Sequence, residues 1–430
     1  MKTNKRTFSI LFLLFLSVGI FSCKDKVLET RTFTGNKPIY LSFEDMRDGI
    51  KSIPAEDLKQ TGKMYFYNNY VFVNEYLKGI HIIDNSDPSN PQNIKFIEIP
   101  GNIDMVIKDN YLYVDSYVDL VVLNINDIEN IFEAFRVENV FPYQVPEYDY
   151  TYPLATIDRD FGVVVGYTIE EVEETYETTG SNWGFGFYKY ETMDARITNG
   201  SSSYSGGGQG IGIAGSMARF SIYEDNIYLL NETILNVYDI SNLRQPTYVT
   251  ELNTMTIAET LFLYDGNLFM GTQTGMRVYS LSNPAAPVFI SEFSHIQSCD
   301  PVVVDDGYAY VTLRSGSACG GFANQLDVVD INVITSPQLV KSYEMTNPHG
   351  LGIQEDKSLF ICDGEAGLKV YDASDPLRID ENMLYHFPEM NAFDVIPLGN
   401  LIMMIGEDGL YQYNFEEGVM TQLSFIPIGE

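Results

Sequence analysis

Short apolar runs separated by turn residues recur along most of this chain. Between residues 259 and 293 the runs are Glu259–Tyr264, Leu268–Gly271, Met276–Ser280 and Val288–Phe293. An Asp-Gly pair, Asp265–Gly266, joins the first two runs and is a strong hairpin signal. The pattern predicts four antiparallel strands in about 40 residues, a unit that needs neighbouring copies to cover its two faces.

The second run of this unit recurs with a period of about 41 residues. Its copies are Tyr70–Val73, Tyr111–Val114, Ile227–Leu230, Leu268–Gly271, Tyr308–Val311, Leu359–Cys362 and Leu401–Met404. The long interval after Tyr111 has room for one more copy. We place its second strand at Phe161–Tyr167, with Thr151–Ile157 before it and Phe185–Tyr190 after it.

The repeats predict an all-β fold, a single β-propeller of four-stranded blades over residues 63–430. We predict eight blades, and seven blades are the alternative if residues 151–215 are only an insertion. In the eight-bladed arrangement, residues 170–215 are an insertion in the third blade. This insertion contains acidic Glu170–Glu177 and Ser/Gly-rich Gly200–Gly215. Because a Gly/Ser tract has little apolar surface to bury, we expect most of it to lie outside as a mobile loop.

The third strand of the unit carries a motif. It is IHIID at Ile80–Asp84, LNVYD at Leu235–Asp239, LDVVD at Leu326–Asp330 and LKVYD at Leu368–Asp372. Over roughly residues 63–415 the chain resembles the LVIVD repeat of bacterial and archaeal cell-surface proteins thought to form β-propellers. The resemblance implies a fold and a location but no established activity. The alternation buries one strand face, and each Asp is expected to bind the backbone of the next turn.

The first 22 residues have the pattern of a signal peptide, with basic residues, the apolar run Phe8–Phe21 and Ser22. Cys23 then resembles the acylated first residue of a bacterial lipoprotein; an ordinary signal followed by an incidental Cys is the alternative. Residues 23–36 are predicted to be a lipidated tether. Residues 37–62 are predicted to form a strand and a short helix, capped by Ser42, that pack against the propeller. We therefore expect an exported protein, lipid-anchored in the outer membrane or at the cell surface.

The net charge of the chain limits the classes of molecule that it is expected to bind. The chain has 26 Lys and Arg residues against 59 Asp and Glu residues, a net charge of −33. Such a surface repels phosphate backbones and anionic lipid, so we exclude nucleic acid and expect membrane contact through the lipid anchor alone. Recruitment of cations or basic partners is the alternative to a purely solubilising role. We predict a monomer without a cofactor.

Candidate ligand contacts follow from the topology of a blade, because the start of its first strand and the end of its second strand share one face. First-strand starts supply Asp104, Glu259, Asp300, His349 and Asp394, and second-strand ends supply Glu75, Asp115, Arg314, Asp363 and Glu407. We predict a ligand site at the channel mouth formed by Asp300, Arg314, His349 and Asp363. Arg can orient a carboxylate or a sugar hydroxyl, and His offers a donor and an acceptor. Hydrated rim side chains, or an Arg314–Asp300 structural pair, are the alternatives.

Three cysteines remain after Cys23. Cys299 and Cys319 are predicted to lie on that same face, and an oxidising compartment permits a disulfide between them. Cys362 is most simply a small buried apolar residue. A zinc site of these three thiols with His349 is the alternative, and we predict no metal.

Two functions fit these features. The first is a cell-surface propeller that binds a small molecule, a glycan or a protein on its channel-mouth face. The alternative is a hydrolase or lyase acting on a small molecule or glycan in the channel. An enzyme needs a group with a shifted pKa held beside an acid, base or metal, so convergence of Asp300, Arg314 and His349 would favour it.

Overall fold

The computed structural model describes residues 26–179, 212–295, 301–315, 323–416 and 418–429. These residues divide into two compact units, one with residues up to Leu41 and from Val145 to 179, the other with Ser42–Gln144 and residues from 212 onwards. Cys23, Cys299, Asp300 and Cys319 lie outside the described residues, so the predicted acylation and disulfide stay predictions. No helix in the described part of the chain is long and apolar enough to cross a membrane.

The first unit is built on a two-stranded antiparallel ribbon. Lys26–Leu41 (β1) pairs with Val163–Thr179 (β11) along its whole length. Ion pairs cross the ribbon from Arg31 to Glu174 and from Lys37 to Glu170, each at 2.8 Å. The connecting segment, which includes a 3₁₀ turn at Arg159–Phe161, is fixed by Asn36, whose Nδ2 donates to the backbone oxygens of Asp149 and Tyr152.

The ribbon corrects two expectations. Residues 26–36 form a strand where a tether was predicted, because Thr30 and Arg31 bond across the ribbon to Thr175 and Glu174 of β11. Within the predicted strand Phe161–Tyr167, residues from Val163 onwards belong to β11 and not to a blade, and the acidic Glu170–Glu177 continues β11. The apolar pattern predicted a strand there, but a pattern does not identify the strand's partner.

The second unit begins with the predicted short helix. Phe43–Asp48 (α1) starts at Ser42, whose Oγ accepts from the backbone N of Asp45 at 3.0 Å. Acidic residues in the first turn and Arg47 in the last complement the helix dipole. The predicted short helix with its Ser42 cap is therefore confirmed, and its residue Met46 is fully buried.

In the described part of the chain, seven sheets each contain four consecutive antiparallel strands, and each of these sets is a blade. Blade 1 has Thr61–Tyr67 (β3), Tyr70–Glu75 (β4), Gly79–Asp84 (β5) and Gln92–Glu98 (β6), extended by Lys51–Pro54 (β2) on β6 and Ile213–Ala214 (β12) on β3. Blade 2 has Met105–Lys108 (β7), Tyr111–Ser116 (β8), Asp119–Asn124 (β9) and Phe132–Val137 (β10), with a 3₁₀ turn at Ile128–Asn130. Blade 3 has Phe220–Tyr223 (β13), Asn226–Asn231 (β14), Ile234–Asp239 (β15) and Thr247–Asn253 (β16). Blade 4 has Ala258–Tyr264 (β17), Asn267–Thr272 (β18), Gly275–Ser280 (β19) and Val288–Ser294 (β20).

The last three blades repeat the arrangement. Blade 5 has Val302–Asp305 (β21), Tyr308–Leu313 (β22), Gln325–Asp330 (β23) and Gln338–Glu344 (β24). Blade 6 has Leu351–Ile353 (β25), Ser358–Cys362 (β26), Leu368–Asp372 (β27) and Met383–Phe387 (β28), with a 3₁₀ turn at Ile379–Glu381. Blade 7 has Ala392–Leu398 (β29), Leu401–Gly406 (β30), Gly409–Glu416 (β31) and Val419–Pro427 (β32).

The prediction of eight blades is wrong, and the seven-bladed alternative is confirmed. Blades 2 and 3 are direct neighbours although a long stretch of chain separates them. Lys108 Nζ lies 2.8 Å from Asp225 Oδ1, and the Tyr113 hydroxyl donates to the Leu243 oxygen at 2.6 Å. No room remains between these blades for the copy that the period suggested.

Blade 7 closes the ring against blade 1. Met64 and Val71 share an apolar cluster with Ile396 and Met403. The motif aspartates have the predicted structural role, since Asp84 Oδ1, for example, accepts from the backbone N of Ser86 at 2.9 Å. Equivalent bonds join Asp239 to Ser241, Asp330 to Asn332 and Asp372 to Ser374.

Candidate functional site

A short segment, Gly212–Arg219, lies against the inner strands of several blades, and we call it the strap. Its residues Ile213 and Ala214 pair with β3 of blade 1. The Ala218 oxygen accepts from the backbone N of Leu261 in blade 4, at 2.9 Å. Because bonds to opposite sides of one ring require a position inside it, the strap occupies the channel.

Most of Gly200–Gly215 was expected to lie outside the propeller, but residues 212–215 belong to the strap, and residues 200–211 lie outside the described residues. Its glycines permit the close approach. A Cβ on Gly212 would lie 2.2 Å from the Tyr65 ring, and one on Gly215 would lie 2.1 Å from Asp394 Oδ2. Ile213 and Ala214, apolar residues within a Gly/Ser tract, were the available signal for a buried segment.

One end of the strap is held by a buried ion pair. Lys63 Nζ binds Asp104 Oδ2, and both side chains are 3% exposed. The same oxygen accepts from the backbone N of Arg219 at 2.6 Å. Burial lowers the pKa of Lys63, although the Asp104 carboxylate partly offsets this. Asp104 is therefore committed to the chain's own cation and backbone.

Asp394 holds the middle of the strap. Its Oδ1 accepts from the backbone N of Ser216 at 3.2 Å, and the Ser216 hydroxyl lies 3.3 Å from the same oxygen. That hydroxyl also accepts from the backbone N of Leu351 at 2.7 Å, which connects the strap to blade 6. Complete burial raises the pKa of Asp394 well above its usual value.

Two carboxylates at the ends of second strands accept hydrogen bonds from the backbone of the loop that leads into their own blade. Asp115 Oδ1 accepts from the backbone N of Ile103 and Asp104, at 2.8 and 2.9 Å. Asp363 Oδ1 accepts from the backbone N of Thr346 and Asn347, at 2.9 and 2.8 Å.

Asp363 Oδ2 is also bound, by Lys369 Nζ at 2.5 Å. Asp363 is thus fully buried, and both of its carboxylate oxygens are bonded to groups of the chain itself. Glu75 is occupied in a similar way, by His81 Nε2 at 2.9 Å and Lys78 Nζ at 2.7 Å.

Arg314 and His349 do meet, as the topology predicted. Arg314 follows β22, His349 precedes β25, and Nη1 of the first lies 2.8 Å from Nδ1 of the second. Thr312 Oγ1 donates to the His349 oxygen at 2.7 Å and fixes the backbone there. Burial and the Arg314 charge lower the pKa of His349 to about 3, so its neutral ring accepts from the guanidinium.

The surroundings of this pair are partly acidic and partly apolar. Glu259 of blade 4 favours the charged form of Arg314, while burial lowers the pKa of Arg314. Glu259 Oε1 also accepts from Gln273 Nε2 at 3.0 Å. The Phe393 ring lies 5.3 Å from the His349 ring, next to Asp394 and the strap. The pair and the strap therefore border the same part of the channel.

The described residues contain no group of three or more potential metal ligands. Cys362 is a fully buried free thiol, as predicted for a small apolar residue. The proposed zinc set includes Cys299 and Cys319, which lie outside the described residues.

Replacing Asp115 with Asn should change how stability depends on pH. Burial raises the pKa of Asp115 to about 6, so its charge opposes folding increasingly as the pH rises from about 4 to 6. Asn keeps an acceptor for the two backbone N–H groups and carries no charge. We expect urea unfolding to show that Asp115→Asn gains about 3 kcal/mol relative to the parent between pH 4 and 7.

Asp84, the partly exposed last residue of β5, provides the control, because bonds from Ser86 lower its pKa. Asp84→Asn should leave the pH dependence between pH 5 and 7 unchanged. A constant difference between Asp115→Asn and the parent at every pH would contradict this explanation.

Comparison with known protein families finds one match, to the repeat in two of the blades. The LVIVD repeat family model matches residues 61–96 and 298–345, which lie in blades 1 and 5. A comparison with curated proteins gives no significant match.

Among solved structures, the chain is similar to PorZ of Porphyromonas gingivalis, which is described as a surface component of the type-IX secretion system. The two share 12% sequence identity with a TM-score of 0.48, and the similarity covers 88% of this chain and 40% of PorZ. This chain is also similar to BamB of Moraxella catarrhalis, at 7% identity and a TM-score of 0.46, covering 91% and 98%. The computationally designed protein Ika8 gives 10% identity and a TM-score of 0.47, covering 85% and 87%.

These similarities are low, so the fold is established by the seven four-stranded sheets and the matched repeats. The described residues form a seven-bladed β-propeller, and its blades 1 and 5 match the LVIVD repeat.

Proposed function

We propose that the protein is an exported, lipid-anchored binding module that contacts its ligand on the channel-mouth face, around Arg314 and His349. The contact between Arg314 Nη1 and His349 Nδ1 carries the proposal. It places a guanidinium and a neutral imidazole together on a face where Asp104, Asp115 and Asp363 bind the chain's own backbone. A ligand with carboxylate or hydroxyl groups suits this pair.

The strap favours binding at the surface over passage through the ring. Gly212–Arg219 fills part of the channel with bonded backbone, which leaves less room for a substrate in the interior. A ligand then approaches from the open face of the ring, where shape complementarity and hydrogen bonds are sufficient for binding.

Acid–base catalysis is less well supported than binding. A general base works best when its pKa lies near the working pH. The pKa of His349 is lowered to about 3, which makes its ring a weak base at neutral pH. The pair suits hydrogen bonding to a ligand better than proton abstraction from it.

Changing either Arg314 or His349 to Ala should weaken ligand binding on this face. The experiment screens the parent and both variants against an array of glycans and carboxylate-bearing small molecules. We expect ligands of the parent to lose at least tenfold in affinity, because one charge-assisted hydrogen bond contributes about that much. Arg378→Ala is the control, since Arg378 is exposed and pairs with Glu381 in a turn. Equal binding by parent and variants, with unchanged melting, would place the site elsewhere.

Acylation of Cys23 predicts that the protein partitions into detergent and sediments with membranes. Cys23→Ala should release it in soluble form, because a lipid chain contributes most of the membrane affinity of such a protein. Metabolic labelling with a fatty acid measures the modification directly. A Cys23→Ala protein that still carries lipid would contradict the assignment.

A further inference from the structure

The chain covers the outer edge of blade 1 with one of its own segments. Lys51–Pro54 (β2) pairs antiparallel with β6, with Lys51 opposite Glu98 and Ile53 opposite Phe96. Phe96 and Ile97 are buried, and Lys95 keeps only 12% of its side chain exposed. Outer strands are usually open edges, so this added strand shows how an edge of this propeller accepts a partner.

Strand β24 of blade 5 resembles β6 in sequence and register, but no strand equivalent to β2 pairs with its outer edge within the described residues. Its sequence QLVKSYE matches QNIKFIE of β6 at the Gln, Lys and Glu positions. The register agrees too: Glu98 lies opposite Gly79, and Glu344 lies opposite Gln325, each the first residue of its third strand. Within the described residues β24 is the last strand of its sheet, with Leu339 48% and Val340 39% exposed.

A groove of about 370 Å³ runs beside the second half of β24. Among the residues that line it are Tyr343, Glu344, Met345, Tyr371, Ile379 and Asp380. The lining has two carboxylates against one cation, Lys341, whose Nζ lies 5.4 Å from the centroid of the Tyr343 ring. A lining that is partly apolar and negative in net charge suits an aliphatic side chain that ends in a positive charge. This is the kind of residue that β2 places opposite Glu98, namely Lys51.

We propose that β24 binds an extended, basic peptide segment of a partner protein by strand addition. The segment pairs antiparallel with residues 341–344 and places a Lys or Arg opposite Glu344 and an apolar residue opposite Ser342. Main-chain hydrogen bonds supply affinity, and the groove supplies specificity for the basic side chain. The net charge of −33 favours a basic partner over an acidic one.

The test uses the full chain and a fluorescent basic peptide with the sequence of residues 49–55, GIKSIPA, amidated at its C-terminus. Saturable binding is expected, with protection of backbone amides at residues 338–345 from hydrogen exchange. Glu344→Lys should lower the affinity about fivefold to tenfold, because like charges directly opposite each other destabilise a strand pair. A peptide with Glu in place of its Lys should bind the Glu344→Lys protein better than it binds the parent.

A matched variant separates this local pair from the general effect of charge. Glu251→Lys makes the same change on β16, another exposed outer strand, and should leave peptide affinity unchanged. Three results would overturn the proposal: equal binding by the parent and Glu344→Lys, an equal loss in Glu251→Lys, or protection confined to residues 92–98. The last result would mean that the peptide only replaces β2 on blade 1.

Discussion

Replacing Asp363 with Ala should destabilise the propeller by about 3–4 kcal/mol. The side chain is fully buried, and its loss leaves the backbone N–H groups of Thr346 and Asn347 without their acceptor. Lys369 would also lose the carboxylate that neutralises it inside the protein. Urea unfolding, followed by circular dichroism, measures the difference.

Two further variants identify the cause. Asp363→Asn keeps an acceptor for both N–H groups and should cost less than Asp363→Ala, since only the ion pair is lost. Asp330→Ala removes a comparable bond to the backbone N of Asn332 in an exposed turn and should cost about 1 kcal/mol. If Asp363→Ala unfolds like the parent but loses ligand binding, Asp363 belongs to the site after all.

The strand pattern could be predicted from sequence because each blade is local. All seven visible copies of the second run fall in second strands, from β4 to β30. The prediction of an eighth copy was wrong because the strand at that position pairs with a distant part of the chain. Phe161–Tyr167 has a suitable apolar pattern, but its partner is β1, more than a hundred residues earlier in the chain. No local signal reports such a pairing.

The candidate site was predictable only in part. Strand topology brought Arg314 and His349 to one face, because strand ends and starts have fixed positions in a blade. The role of Asp363 was not predictable, since an Asp at that position can face a ligand or bind backbone N–H groups. The strap was missed because its composition, rich in Gly, resembles that of an exposed loop.

The glycine shared by several repeats at the start of the third strand is a further sequence signal. Gly79, Gly275 and Gly409 are the first residues of β5, β19 and β31, and Gly367 directly precedes β27. In each, a Cβ would lie within 2.1 Å of a carbonyl oxygen on the fourth strand. This shared position indicates that the third and fourth strands approach too closely for any side chain there.

Gly367→Ala should therefore lower the free energy of unfolding by at least about 3 kcal/mol. Its Cβ would lie 1.7 Å from the Phe387 oxygen, and its φ of +83° is unfavourable for Ala. Relief requires moving the backbone between β27 and β28, since a carbonyl oxygen has no rotamer to change. Gly399→Ala is the matched control, because Gly399 has a φ of +60° and nothing within 4 Å of an added Cβ. The control should lose about 1 kcal/mol through its backbone conformation alone. Equal losses in the two variants, measured by urea unfolding at one pH, would show that the strands separate easily and that the close approach is not what requires glycine.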